Sequence, residues 1–176
     1  MAALESSPFA KTGRTVSRLG FGGAPAGLAN YLGRYSYEDV LQRQSMVEAI
    51  QRALELGVTY FDTAAGYGDG ASERIFGDGL AGRASEVFIA TKVGHGEADP
   101  RAVVERSLVN LRVPVLDLVQ VHGTTYSDDL ADRLLGPDGT VAVLERMRDE
   151  GLIRHIGFTT EDQNSAVYRF IKSGRF

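Results

Sequence analysis

Apolar residues fall in five short runs along the chain, and each is followed by a stretch with helical spacing or a polar loop. The runs are residues 19–23, 58–61, 87–93, 116–121 and 153–158. Short runs of this kind, bounded by glycine and polar clusters, predict β-strands. Turn-rich Lys11-Thr12-Gly13-Arg14 precedes the first run, and a glycine-rich loop follows it through Gly33. Ser36 and Asp39 then resemble a capping box. Val40, Val47, Ile50 and Leu54 share one helical face, and Gly57 stands where a left-handed residue ends a helix. The second run leads through a loop of Gly, Ala and Asp to a helix around residues 72–80, with Ile75 and Phe76 as its apolar positions. Asp99-Pro100 predicts a helix start, because Asp caps and a first-turn Pro has no needed N–H to lose. Val104, Leu108 and Leu111 give that helix its buried stripe. Residues 123–139 are polar and read as a long loop with room for a helical turn. Val141, Leu144 and Met147 mark the next helix, closed by Gly151. Thr160 and Gln163 resemble the cap of a last helix, whose face is Val167, Phe170 and Ile171.

Strands alternating with helices of this length predict an α/β fold with a parallel sheet and right-handed crossovers. An open doubly wound sheet and a (β/α)8 TIM barrel both satisfy that pattern. The Gly-x-Gly-x-x-Gly fingerprint of the former is not cleanly present, since Phe21-Gly22-Gly23-Ala24-Pro25-Ala26-Gly27 has the wrong spacing. The barrel is favoured, as one domain over residues 1–176. A barrel has eight strands in about 250 residues, and this chain supplies five βα units. It stops after a helix, which leaves a parallel edge without a partner. The expectation is a barrel truncated at its C-terminus.

Composition narrows the function classes. The 176 residues are 43% apolar and 24% charged, an ordinary balance for a soluble globular protein. A net charge of -4 argues against a general affinity for nucleic acid or anionic membrane. With no cysteine there is no disulfide, thiolate nucleophile or cysteine-ligated metal, which fits a reducing compartment. The first residues do not read as a signal peptide, and no run approaches the roughly 20 apolar residues of a membrane helix. The expectation is a cytoplasmic protein acting on small molecules, its oligomeric state open.

Four titratable residues stand out. Asp62, Lys92 and His122 lie at or just past the ends of the second, third and fourth runs, and Tyr67 lies on the loop after the second. Parallel strands are about 4.8 Å apart, and barrels gather functional groups at the strands' C-terminal ends, so the four side chains can meet on one rim. A free phenol has a pKa near 10, a poor match to proton donation at neutral pH. A nearby ammonium lowers that value, and a carboxylate can aim the ammonium. Such a set suits proton donation to a carbonyl oxygen as a hydride reaches the carbon. Each residue alone has a plainer reading: Asp62 as a loop cap, Tyr67 as packing in a tight turn, Lys92 as a solvated charge, His122 as a core histidine. Their joint placement favours the chemical one. Glu48, Glu55, Glu73, Arg52 and Arg74 read as solvated helix faces, Gly94-His95-Gly96 as a flexible polar loop, and His155 carries no assigned role.

The segment Phe61-Asp62-Thr63-Ala64-Ala65-Gly66-Tyr67-Gly68-Asp69-Gly70-Ala71-Ser72-Glu73-Arg74 resembles the signature of the aldo-keto reductases. Ile89-Ala90-Thr91-Lys92-Val93 is similar to that family's lysine strand, and residues 116–122 to its histidine strand. Residues 18–22 and 153–158 resemble its first and fifth strands, so the likeness runs from about Gly13 to Phe176. It implies a metal-free (β/α)8 barrel that binds NADP, less often NAD, and interconverts carbonyls and alcohols, with aldehydes, ketones or sugars as substrates. Tyr67 would be the general acid/base, Asp62 and Lys92 the pair that lowers its pKa, and His122 the substrate-orienting group. Asp62, Gly22, Thr159 and Thr160 would face the cofactor. The loops look closest to the family's sugar or aldose dehydrogenases. The chain departs from the family at Thr159-Thr160, where Ser-Asn usually holds the nicotinamide carboxamide: Thr159 keeps a hydroxyl, but Thr160 lacks the amide. The family's pyrophosphate and adenosine contacts come mostly from strands six to eight. Two other readings stay open: a Schiff-base enzyme using Lys92, and a non-catalytic module of the same family.

Overall fold

The computed structural model describes residues 4–176. Two strands, β1 (Ser6–Pro8) and β2 (Thr15–Ser17), form an antiparallel hairpin, and five more form one parallel sheet. The sheet strands are β3 (Phe21–Gly22), β4 (Tyr60–Asp62), β5 (Phe88–Gly94), β6 (Leu116–His122) and β7 (Ile153–Phe158). They lie side by side in sequence order. Helices α1 (Ala24–Gly27), α2 (Val40–Glu55), α3 (Ala71–Gly79), α4 (Pro100–Leu111), α5 (Asp128–Leu135), α6 (Thr140–Asp149) and α7 (Ser165–Ser173) connect or follow the strands. This is the βα repeat the apolar runs predict.

Alternation along the strands assigns the two faces. Phe61, Ile89, Val93, Val119 and Val121 belong to the main core, together with Ile50, Phe76, Val104, Leu144 and Phe170 from the helices. Phe88, Ala90 and Leu118 face the other way and pack with Val16, Phe9 and Tyr60 in a second, smaller core. The hairpin therefore lies against the inner face near the strands' N-terminal ends. Each fully buried Phe or Leu contributes about 1.5–3 kcal/mol relative to exposure. The inner face continues by the same two-residue period to Asp62, Lys92, Gln120 and His122.

Several local expectations are corrected. Asp39 caps α2 by itself, accepting from Leu41 and Gln42 N–H at 3.0 Å each, while Ser36 Oγ accepts from Glu38 N–H. Val40 and Ile171 are exposed, because each lies past the edge of the surface its helix covers. The long loop over residues 123–139 contains α5, capped by Ser127 and packed through buried Ala131 and Leu134. Its acidic first turn hides that stripe in the sequence. Thr160 Oγ1 accepts from Asp162 N–H, and the cap of α7 is Asn164, which accepts from Val167 N–H. Asp99 caps α4 as expected, and Gly57 ends α2 at φ +90°.

Glu73 is the largest correction. It is fully buried, not a solvated helix residue. Its carboxylate accepts from Thr91 Oγ1 at 2.7 Å and Asn110 Nδ2 at 3.0 Å, which joins α3 to β5 and α4. Close packing of the same two helices makes Gly77 sensitive. Alanine inside a helix ordinarily gains about 0.5–1 kcal/mol over glycine. A Cβ at Gly77 would instead overlap the Asn110 carbonyl oxygen and crowd the Leu111 backbone. Gly77→Ala is expected to destabilise the chain by about 1–3 kcal/mol, read as a lower urea midpoint at unchanged slope. A raised midpoint would show that α3 and α4 separate freely.

Candidate active site

Four polar side chains, Asp62, Lys92, Gln120 and His122, leave the inner face at staggered heights. The sheet register sets Asp62 beside Ala90, Lys92 beside Gln120 and His122 beside Gly94. Asp62 and His122 thus end their strands, and Lys92 lies one inward-facing position before the end of β5. Parallel strands in a barrel are sheared in this way.

Lys92 is the centre of the cluster. Its side chain is 7% exposed, and its ammonium donates to Asp62 Oδ1 and, at 2.7 Å, to the Thr63 carbonyl. The other carboxylate oxygen, Oδ2, accepts from Gln120 Nε2 at 3.2 Å and from the Tyr60 hydroxyl at 3.4 Å. Burial, and next the charge of Asp62, raise the Tyr60 phenol well above its ordinary value. Lys92 Nζ also lies 5.3 Å from the centre of the Tyr67 ring. An ammonium paired with a carboxylate in this way has no lone pair to offer a substrate carbonyl, which disfavours the Schiff-base reading.

Tyr67 is held by its loop. Gly68, Asp69 and Gly70 take successive left-handed conformations (φ +65°, +48° and +78°), turning the chain sharply into α3. A Cβ at Gly27 would overlap the Tyr67 carbonyl, so α1 closes on this loop from the other side. Beneath it, Thr63 and Ser72 hydroxyls meet at 2.7 Å, and Ser72 donates to the Gly23 carbonyl. The Tyr67 ring meets the edge of His122 at 5.7 Å and 83°.

The structure thus brings Asp62, Tyr67, Lys92 and His122 into one cluster, but the electrostatics differ from expectation in one respect. The Tyr67 phenol is raised above its ordinary value, first by burial, then by the charges of Asp62 and Tyr31. Burial leads, and the Asp62 carboxylate beside the ammonium acts in the same raising direction, so the expected lowering does not prevail. His122 is lowered, first by burial and next by Lys92, with Asp62 opposing. Its imidazole is therefore neutral near pH 7.

A lowered histidine pKa means that the unfolded chain binds the proton more readily, so stability falls as the pH drops through and below about 6.5. His155, also lowered chiefly by burial, acts in the same window. His122→Gln is expected to flatten part of the acid-side fall in thermal midpoint. An unchanged slope between pH 7 and 5 would contradict it.

A model of the Aldo/keto reductase family matches residues 18–172. The chain belongs to this family. Among curated relatives, methylglyoxal reductase of Escherichia coli is 34% identical over 131 residues, which cover 73% of this chain and 43% of that protein. L-galactose dehydrogenase of Arabidopsis thaliana is 28% identical over 169 residues, covering 90% of this chain and 49% of that protein. The holo form of an aldo-keto reductase from Bacillus halodurans superposes with a TM-score of 0.75 at 28% identity, covering 97% of this chain and 55% of that one. An aldo/keto reductase from Klebsiella pneumoniae, solved in complex with NADP and acetate, gives a TM-score of 0.69 at 28% identity, with 89% and 51% covered. The chain spans about half the length of these relatives, and its five parallel strands correspond to part of their barrels.

In this aldo/keto reductase chain the other sequence-predicted residues lie along the same rim. Gly22 pairs with Asp62, and open space surrounds the point where its Cβ would stand. Thr159 and Thr160 follow β7. The Thr159 hydroxyl donates to the Gly123 carbonyl at 2.9 Å and accepts from Gly123 N–H at 3.1 Å. Thr160 Oγ1 donates to the Thr124 carbonyl at 3.3 Å. Each hydroxyl keeps a lone pair, and neither has a free proton. Flat, open space at Gly22 and the remaining lone pairs suit a carboxamide N–H, whereas a carboxamide oxygen finds no side-chain donor at these two threonines. Sequence reasoning missed Gln120 and Tyr60, the two further partners of Asp62. The two-residue period that picks out Asp62 and His122 also picks out both of them.

Proposed function

We propose that this chain carries the proton-transfer site of a nicotinamide-dependent oxidoreductase that interconverts a carbonyl and an alcohol. The observation that carries this reading is the buried Asp62–Lys92 ion pair with the Tyr67 ring over it and His122 at its edge. NADP, the cofactor in the Klebsiella pneumoniae relative, would supply or take up the hydride when bound. Gly22, Asp62, Thr159 and Thr160 would border its nicotinamide end.

Tyr67 is the general acid/base. The phenol is protonated at neutral pH and so has a proton to give to a substrate oxygen. As the phenol proton leaves, negative charge develops about the Tyr67 oxygen, and the nearby ammonium of Lys92 becomes its counter-charge. Asp62 fixes that ammonium, and Gln120 and Tyr60 fix Asp62. Neutral His122 can donate one N–H to the same substrate oxygen and so fix the angle of attack. In the oxidative direction the same groups act in reverse.

The relatives support a small aldehyde or a sugar as substrate, one being a methylglyoxal reductase and another an L-galactose dehydrogenase. The cysteine-free composition supports a reducing setting such as the cytoplasm. The test is NADPH oxidation, followed spectroscopically, with a panel of small aldehydes, ketones and aldoses, alongside a fluorescence titration of NADPH. Carbonyl-dependent oxidation is expected. A folded protein that binds NADPH but turns over no carbonyl would favour the non-catalytic reading instead.

A further inference from the structure

At the strand ends opposite Tyr67, a second polar cluster surrounds a cavity of about 190 Å³. Arg14, Arg112, Arg154 and Ser85 line it, together with Asp117. Three observations distinguish these arginines from a scatter of surface charge.

First, Asp117 is built in. It is 4% exposed and stands level with Arg154, between the Leu116–Ile153 and Leu118–His155 pairs. One carboxylate oxygen accepts from Ile89 N–H at 2.9 Å. The other accepts from Arg154 Nη1 at 3.0 Å and lies 4.0 Å from Arg14 Nη1. A carboxylate tied to the backbone thus orients guanidiniums from β7 and from the hairpin toward one point.

Second, Arg112 reaches the cavity from α4, where it is the C-cap residue at φ +56°. Glycine is the ordinary occupant of left-handed positions at helix ends. The arginine held there lines the cavity and pairs with Asp78 at 2.5 Å.

Third, the charges do not balance. Arg14 and Arg154 face Asp117 and Arg112 pairs with Asp78, so three guanidiniums against two carboxylates leave one positive charge in excess. Each guanidinium has five N–H donors, and the carboxylates occupy only part of them. Planar donor forks match the oxygens of phosphate. The cavity is smaller than the roughly 300 Å³ at which sites for drug-sized ligands begin.

We propose that this cavity binds a phosphate group, either the free ion or the terminal group of a small phosphate monoester. The site is independent of the chemistry at Tyr67. The test is calorimetric titration of the full chain at low ionic strength with inorganic phosphate and, separately, with a hexose phosphate. Binding of either is expected, and whichever binds more tightly identifies the source. Arg112→Gln and Arg14→Gln leave the Asp117–Arg154 pair in place, and each is expected to weaken binding about tenfold or more. Lys92→Met, at the other end of the sheet, is expected to leave the affinity unchanged. The proposal is overturned if neither ligand binds, if both arginine variants bind like the parent chain, or if only Lys92→Met weakens binding.

Discussion

Replacing Asp62 with leucine is expected to destabilise the chain by about 3 kcal/mol, and adding Lys92→Leu is expected to recover most of that loss. The two partners are unequally buried. The Lys92 side chain is 7% exposed and that of Asp62 27%. Without Asp62 the ammonium keeps a single protein acceptor, the Thr63 carbonyl. Removing one member of a buried ion pair costs about 3–5 kcal/mol, chiefly because the other charge is left uncompensated. The lower figure applies because water reaches the Asp62 side of the pair. Gln120 and Tyr60 lose an acceptor too, but both are only partly buried and can turn to solvent. Removing the second charge removes the penalty, and leucine at both positions extends the apolar inner face formed by Phe88, Ala90 and Leu118. Urea unfolding of the parent chain, the single variant and the double variant measures this. If Lys92→Leu adds a further loss on top of Asp62→Leu, the pair is not held by mutual compensation.

The same pair shows which parts of the fold were legible in the sequence. Runs such as residues 87–93 and 116–121 announce parallel strands because both faces of such a strand are buried. Asp39 and Asp99 announce helix starts because a cap is a local bond between a side chain and the next turn. What could not be read locally depends on distant partners. The β1–β2 hairpin is stabilised by Phe9 and Val16 against Phe88 and Tyr60, far along the chain. Glu73 looks like a helix surface charge until Thr91 and Asn110 arrive to satisfy it. Helix α5 is short and acidic, and only the packing of Ala131 and Leu134 reveals its inner face.

In the candidate site, sequence spacing identified which side chains gather but not their electrostatic balance. A lysine near a phenol suggested a lowered phenol pKa. In the structure burial dominates at Tyr67, and the Asp62 carboxylate beside Lys92 raises the phenol further. The staggered register was also hidden, since it follows from barrel shear and not from strand length. It puts Gln120, not His122, level with Lys92.

Tyr67→Phe is expected to lower turnover about 10²–10⁴-fold, the usual share of a positioned general acid, while leaving the fold intact. The change deletes one hydroxyl and keeps the ring. Its contacts with Lys92, 5.3 Å from the ring centre, and with His122, at 5.7 Å, therefore survive. Neither NADPH affinity nor the thermal midpoint near pH 7 should move appreciably. The raised phenol pKa adds a second readout. A group whose folded pKa exceeds its unfolded value of about 10 adds stability below that value and loses it as the pH rises through the folded one. The parent chain should thus lose stability above about pH 10, and Tyr67→Phe should remove part of that loss. Tyr35, Tyr60 and Tyr126, the last pushed up to about 12, retain the rest. A phenylalanine variant with near-normal kcat would remove Tyr67 from the chemistry and leave the Asp62–Lys92 pair as a structural feature of the inner face.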